Sequence, residues 1–313
     1  MSKTKLCKVP DITHDEWLDW RRKGIGGSDA STVVGLNPYN SLFALWCDKK
    51  GLLPPKETNE AMRIGHDLEQ YVADRWMEAA GKKCHRNNYM WRSDEYPWML
   101  ADIDREVVGE NAGLECKTTS PYNKHDFESG EVPLTYYVQC QHYMAVMGFD
   151  RMYLAVVVLG KGFYHFVVER DDNEIEALAA AERDFWQKVE NDEIPEKDGS
   201  EATLGALSAL YPTEEQHGCN LSDAVGYKLE RMDALKKEIK EMQAEVDQIK
   251  AETMGEMGLD ACGVVGPWTV TWKTQTRTSL DGKKLKAEHP DLYNQYAKIT
   301  ESRVFTARRK KGA

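Results

Sequence analysis

Residues 151–160, RMYLAVVVLG, form a nearly unbroken apolar run. A strand with one wet face alternates apolar and polar side chains, whereas a continuous run marks a strand covered on both faces. GFYHFVVER (162–170) reads as its hairpin partner. PLTYYVQCQHYMAVMG (133–148) before it and NEIEALAAAERDFWQKVEN (173–191) after it read as helices. Residues 59–83, NEAMRIGHDLEQYVADRWMEAAGKK, place Met62, Leu68, Val72, Trp76 and Met77 near helical spacing. YMWRS (89–93) and WMLADIDREVVGENAGLECKTT (98–119) are strand-like, the latter as two strands joined by the turn GENAG. The expected fold is α/β, a central mixed sheet of about five strands flanked by helices.

The N-terminal stretch carries two helix starts. Thr13 with Glu16 forms a capping box, and Trp17, Leu18 and Trp20 supply apolar surface. Glycines 24, 26 and 27 break that helix, and Ser28 or Asp29 is placed to cap the next, which runs to Val34. A further helix starts at Ser41 and stops at Gly51.

The net charge of 41 − 52 = −11 disfavours non-specific nucleic-acid binding, although it leaves room for a local basic channel. It also fits a site that gathers carboxylates around a divalent metal. The 7 cysteines are scattered with no C-x-x-C, which argues for reduced thiols and against a disulfide frame, a zinc site or an iron–sulfur cluster. No apolar run approaches the length of a membrane span and the start lacks a signal-peptide core, so a cytoplasmic protein without membrane partners is expected.

The chemistry is concentrated in AGLECKTT (112–119). Side chains alternate along a strand, so Glu115 and Lys117 share a face. Alone, such a pair is most often a surface ion pair of little energetic consequence. Asp104, however, lies on the preceding strand, and a hairpin brings its carboxylate to Glu115. Two carboxylates and a lysine suit metal-dependent phosphodiester hydrolysis. The carboxylates hold Mg²⁺, a hard cation, which polarises the phosphoryl oxygen, and the lysine orients water and neutralises developing charge.

This order, an Asp followed by Glu-x-Lys, resembles the PD-(D/E)XK nuclease superfamily. RIGHDLEQYV (63–72), YYVQCQHYM (136–144), RRKGIGGSDAS (21–31) and above all MLADIDREVVGENAGLECKT (99–118) resemble the lambda-exonuclease-like nucleases of YqaJ-type viral recombination systems. The match spans about residues 13–190. The resemblance implies catalytic roles for Asp104, Glu115, Lys117, Glu69 and Gln139. Glu69 would support metal-bound water and Gln139 would fix the lysine, with Tyr136 nearby. It places Asp104, Glu115 and Cys116 at a Mg²⁺ site, with Mn²⁺ as a substitute. Arg22, Ser28 and Tyr136 would contact DNA, the first two at phosphate; on physical grounds, a glycine turn opening a helix exposes N–H groups suited to an anion. Gln141, two positions from Gln139, faces elsewhere. Asp102 remains a rival to Asp104, and shares its face if the strand is regular.

The implied activity is degradation of one strand of linear double-stranded DNA, 5′ to 3′, by a homo-oligomer. The product is single-stranded DNA for an annealing protein. The alternatives are an endonuclease of restriction or junction-resolving type using the same metal site, or a non-catalytic DNA-binding or assembly protein.

The expected domains are a nuclease at 1–195, a linker at 196–222 and a C-terminal helix and β-hairpin module at 223–313. Met232, Leu235, Ile239, Met242, Val246 and Ile249 recur at steps of 3 and 4, a short heptad seam for a partner helix. GPWTVTWKTQTRTSL (266–280) reads as the hairpin, with Trp268 and Trp272 as core. Lys273, Arg277, Lys283, Lys284, Arg308, Arg309, Lys310 and Lys311 offer charge for DNA or partner contact.

Overall fold

The structure, a computed structural model, describes residues 2–55 and 59–309. Lys310 and Lys311 lie outside them. The chain divides into two compact units, residues 1–212 and 213–313.

In the first unit, β1 (Lys3–Lys8) leads to α1 (His14–Arg21), β2 (Ile25–Gly26), α2 (Gly27–Val33), α3 (Leu42–Lys49) and α4 (Glu60–Ala80). The capping box of Thr13 and Glu16 starts α1 as expected. The next helix starts one residue before Ser28. Gly26 occupies the N-cap, and the Asp29 carboxylate accepts from the Gly26 N–H at 3.0 Å. Asn59 caps α4 by accepting from the Met62 N–H, and Gly81 ends it in the left-handed region. Val72, Ala73 and Trp76 form its buried stripe.

Then follow β3 (Cys84–Arg86), β4 (Tyr89–Ser93), β5 (Met99–Ala101), β6 (Arg105–Val107), β7 (Ala112–Thr119), α5 (His125–Glu128), α6 (Leu134–Met147), β8 (Arg151–Val158), β9 (Gly162–Glu169), α7 (Asp172–Glu190) and α8 (Glu201–Leu210). The main sheet has 5 strands in the order β3-β6-β7-β8-β9. Only β7 and β8 run parallel, so the sheet is mixed. β8 is covered on both faces. Tyr153 and Ala155 pack with Val72 and Trp76 of α4, whereas Met152 packs with Met144 and Ala145 of α6. This is the α/β architecture that the apolar run requires.

A second sheet of 4 strands, in the order β1-β4-β5-β2, adjoins it. The stretch 98–108, expected as one strand, is two. It leaves the small sheet after Ala101 and joins the large one at Arg105. Ile103, 1% exposed, anchors the crossing. The residues expected as a linker, 196–222, contain α8. Thr203 of α8 donates to the Ser41 hydroxyl at 2.8 Å, and Ala206 joins the cluster of Leu45 and Trp46.

The second unit holds α9 (Asp223–Met257), β10 (Cys262–Val265), β11 (Trp268–Thr271), α10 (Gly282–Glu288) and α11 (Pro290–Tyr296). The hairpin sits earlier than expected. Gly266 and Pro267 form its turn rather than its first strand, with Gly266 at φ 53°. Trp268 and Trp272 are not core, at 70% and 45% exposure. No described helix is long and apolar enough to cross a membrane.

Candidate active site

β7 presents Glu115 and Lys117 on one face, and Lys117 Nζ lies 2.6 Å from Glu115 Oε1. This is no surface pair: Glu115 is 4% exposed. From α6, Gln139 Nε2 donates to the same Oε1 at 2.7 Å. The other oxygen, Oε2, is buried and has no hydrogen-bond partner among the described residues. Asp104 comes from the turn into β6, and its Oδ2 accepts from the Cys116 N–H at 2.7 Å. Burial, and next the Glu115 charge, hold the Asp104 carboxyl well above the usual carboxylate range. Burial alone would lower the Lys117 ammonium, but Glu115 and Asp104 outweigh it, and the net shift is upward.

A buried carboxylate with an unmet oxygen, beside a second half-buried one, is costly unless a cation joins them. The donor set is all oxygen and hard, as Mg²⁺ requires, and therefore fits such an ion. No group of 3 or more His, Cys, Asp or Glu converges among the described residues. The protein therefore offers two carboxylates, and water or substrate oxygens would supply the remaining ligands, a division typical of Mg²⁺. Cys116, expected at the metal site, meets this set through its main-chain N–H on Asp104. Its side chain packs with Val72, Trp76 and Ala155 on the opposite face, and burial pushes the thiol well up.

Glu69 reaches the same region from α4. Its charge is close enough to raise Asp104 further, and it is ion-paired with Arg105 and Arg86. Gly65, one turn earlier, lets α4 lie against β7: a Cβ there would stand 3.5 Å from Thr118 Oγ1. Tyr136 lies under the lysine, with Lys117 Nζ 5.7 Å from its ring centroid. Gln139 was expected on the lysine but bonds Glu115 and, at 3.2 Å, the Tyr143 hydroxyl. As expected, Gln141 faces away, donating to the Glu169 carbonyl and accepting from the Asp171 N–H.

The glycine turn forms a neighbouring cavity lined by Trp17, Arg21, Ser28, Asp102 and Tyr143, among others. Arg22 is not part of it. Arg22 Nη1 pairs with Asp19 at 3.0 Å, whereas Arg21 Nη2 donates to Ser28 Oγ at 2.8 Å and to Asp29 Oδ1 at 3.0 Å. The signal was available in helix phase. Arg21 follows Trp17 by one turn, and Trp17 Nε1 donates to Asp102 Oδ2 at 2.8 Å. Asp102 thus belongs to this cavity and Asp104 to the carboxylate pair. Tyr143 touches both: its hydroxyl donates to the Asp102 carbonyl at 3.2 Å, and its ring rests on Gly27, where a Cβ would come within 2.5 Å. Behind it, His142 and Glu182, both 0% exposed, pair at 2.8 Å, and His142 Nε2 donates to the Leu100 carbonyl.

Comparison with known proteins gives a consistent picture. A family model for the YqaJ-like viral recombinase domain matches residues 16–150. The protein YqaJ of Bacillus subtilis (strain 168) is 39% identical over 305 residues, 96% of this chain and 96% of that one. Among solved structures, LHK-Exo in complex with dAMP aligns with a TM-score of 0.50 at 19% identity, over 57% of this chain and 94% of that one. LHK-Exo is an alkaline exonuclease from Laribacter hongkongensis, and at that identity the likeness is one of fold. From the length and identity of the match to YqaJ, this chain belongs to the YqaJ-like viral recombinase family.

Proposed function

We propose that this protein is a Mg²⁺-dependent exonuclease. It degrades one strand of linear double-stranded DNA, 5′ to 3′, and leaves single-stranded DNA for an annealing protein. The observation that carries the reading is the trio of Asp104, Glu115 and Lys117, with Glu115 buried and its Oε2 unmet. Family membership and the exonuclease-like fold support it. A bound metal would supply a Lewis acid and an activated water. Asp104 and Glu115 would hold it, and the chain does the rest. Gln139 keeps Glu115 in one rotamer by occupying Oε1. Lys117, held as an ammonium, offsets charge that builds on the phosphoryl oxygens and orients the attacking water. Glu69, whose charge is felt at Asp104, would support the metal-bound water. The cavity of Arg21, Ser28 and Trp17 lies beside the reacting centre and suits the DNA backbone. Mn²⁺, with the same oxygen preference, is expected to substitute. A homo-oligomer closed around the duplex would make digestion processive.

The test uses a linear duplex labelled separately at its 5′ and 3′ ends, beside a covalently closed circle. Loss of label from the 5′ ends with Mg²⁺ but not with EDTA, and an intact circle, is the expected result. Cutting of the circle would replace the exonuclease by an endonuclease, and loss from the 3′ ends would reverse the polarity.

A further inference from the structure

Arg105 follows Asp104 directly, and its side chain is 2% exposed. A buried guanidinium is costly, and an apolar residue of similar volume often serves stability as well or better. Both terminal nitrogens are engaged. Nη1 meets Glu69 Oε1 and also donates to the Asp104 carbonyl at 2.8 Å, and Nη2 donates to Gln70 Oε1 at 3.2 Å. One side chain on β6 thus grips two consecutive residues of α4 and the main chain of Asp104.

The neighbouring strand repeats the feature. Arg86 on β3 is the direct cross-strand partner of Arg105, and like charges so placed repel. Glu69 relieves this: Arg86 Nη2 lies 3.4 Å from the same oxygen, Oε1. Both cations therefore hold one oxygen. Glu69 Oε2 makes no hydrogen bond among the described residues, and the side chain is 21% exposed, on the same guanidinium that holds the Asp104 carbonyl. An arrangement meant only to neutralise Glu69 would need one arginine, and an exposed one would suffice.

We infer that Arg105, aided by Arg86, is a positioning residue that locks Glu69 Oε1 and presents Oε2 to the metal and water side of the site. The inference rests on the nuclease reading above. Lysine can replace the charge of Arg105 but not its fork. Arg105→Lys should therefore keep a melting temperature near wild type. It should lower kcat on linear duplex by about 10- to 100-fold and leave KM within about threefold. Combined with Glu69→Gln, it should add little, since both changes remove the same function. Mg²⁺-induced thermal stabilisation of the DNA-free protein should shrink in parallel.

Additive losses in the double variant would overturn the inference. So would a folded Arg105→Lys with wild-type kcat and Mg²⁺ response. If Arg105→Lys does not fold, Arg86→Gln on the half-exposed partner carries the test. It should lower kcat by about 2- to 10-fold, again without additivity to Glu69→Gln, and additivity would count against us. Failure of wild-type protein to cut any duplex would instead remove the nuclease reading, and this inference with it.

Discussion

Asp104 carries the energetic tension of the site. In the unfolded chain its carboxyl ionises near the ordinary value of about 4. In the fold, burial and Glu115 hold it well higher. A carboxyl with a raised folded value stabilises the fold below the unfolded value and loses that contribution as pH rises towards the folded one. In metal-free protein, Asp104→Asn should therefore raise the melting temperature at neutral pH, by roughly 2–4 °C per kcal/mol relieved, and give no gain near pH 4. Calorimetry of both proteins in EDTA at the two pH values reads this. A variant less stable at pH 7 would contradict it. The same proton must leave before a cation enters, so Mg²⁺ affinity should climb with pH, by at most tenfold per unit, until Asp104 is ionised in the free protein. Isothermal titration at pH 6, 7 and 8 would show it, and a flat profile would argue that Asp104 is not a ligand. Asp104, Glu115 and Lys117 were legible in the sequence because strand period and a hairpin fix their mutual placement. The choice between Arg21 and Arg22 was there to be read only through helix phase, since one residue rotates a helical side chain by about 100° and Arg21, not Arg22, follows Trp17 by a turn.

At the scale of elements, α6 and the glycine turn form one joint. Gln139, His142 and Tyr143 come from a single helix and reach Glu115, the Leu100 carbonyl and Gly27 respectively. Gly27→Ala places a methyl group against the Tyr143 ring, whose neighbours are packed. The ring must move, and with it the partners of Gln139. We expect about 1–3 kcal/mol of lost stability and a kcat deficit larger than that from Gly35→Ala, which meets no atoms but carries backbone strain at φ 72°. Thermal melts and single-turnover rates compare the two, and a Gly27→Ala variant with unchanged rate would separate α6 from the chemistry. His142 adds a pH test. Burial lowers it, Glu182 more than compensates, and the net value is raised, so its stabilising share is complete below about 6.5 and fades as pH rises through the folded value. His142→Gln should cost more stability at pH 6 than at pH 9. The break at Asp102–Asp104 escaped sequence reading because both strands are short and polar at the same point. The pull that divides them is tertiary: Trp17 takes Asp102 and the Cys116 N–H takes Asp104.

For the whole molecule, the sheet order matters because it places β7 inside, between β6 and β8, so that the Glu115 of a Glu-x-Lys that might lie on a surface is buried. The apolar run of β8 forecast that burial. A short helical piece was legible in the stretch before residue 222, but not its docking, since the apolar residues of α8 gain meaning only against α3. The hairpin shifted because Gly-Pro marks a turn more strongly than the following tryptophans mark a strand. The most direct measurement is the rate at which linear duplex becomes acid-soluble at saturating Mg²⁺, for wild type and Lys117→Ala. A loss of about 10²- to 10³-fold, with the melting curve retained, is what this geometry predicts. A Lys117→Ala protein that digests DNA at the wild-type rate would mean that the buried pair on β7 is not where the phosphodiester bond is broken.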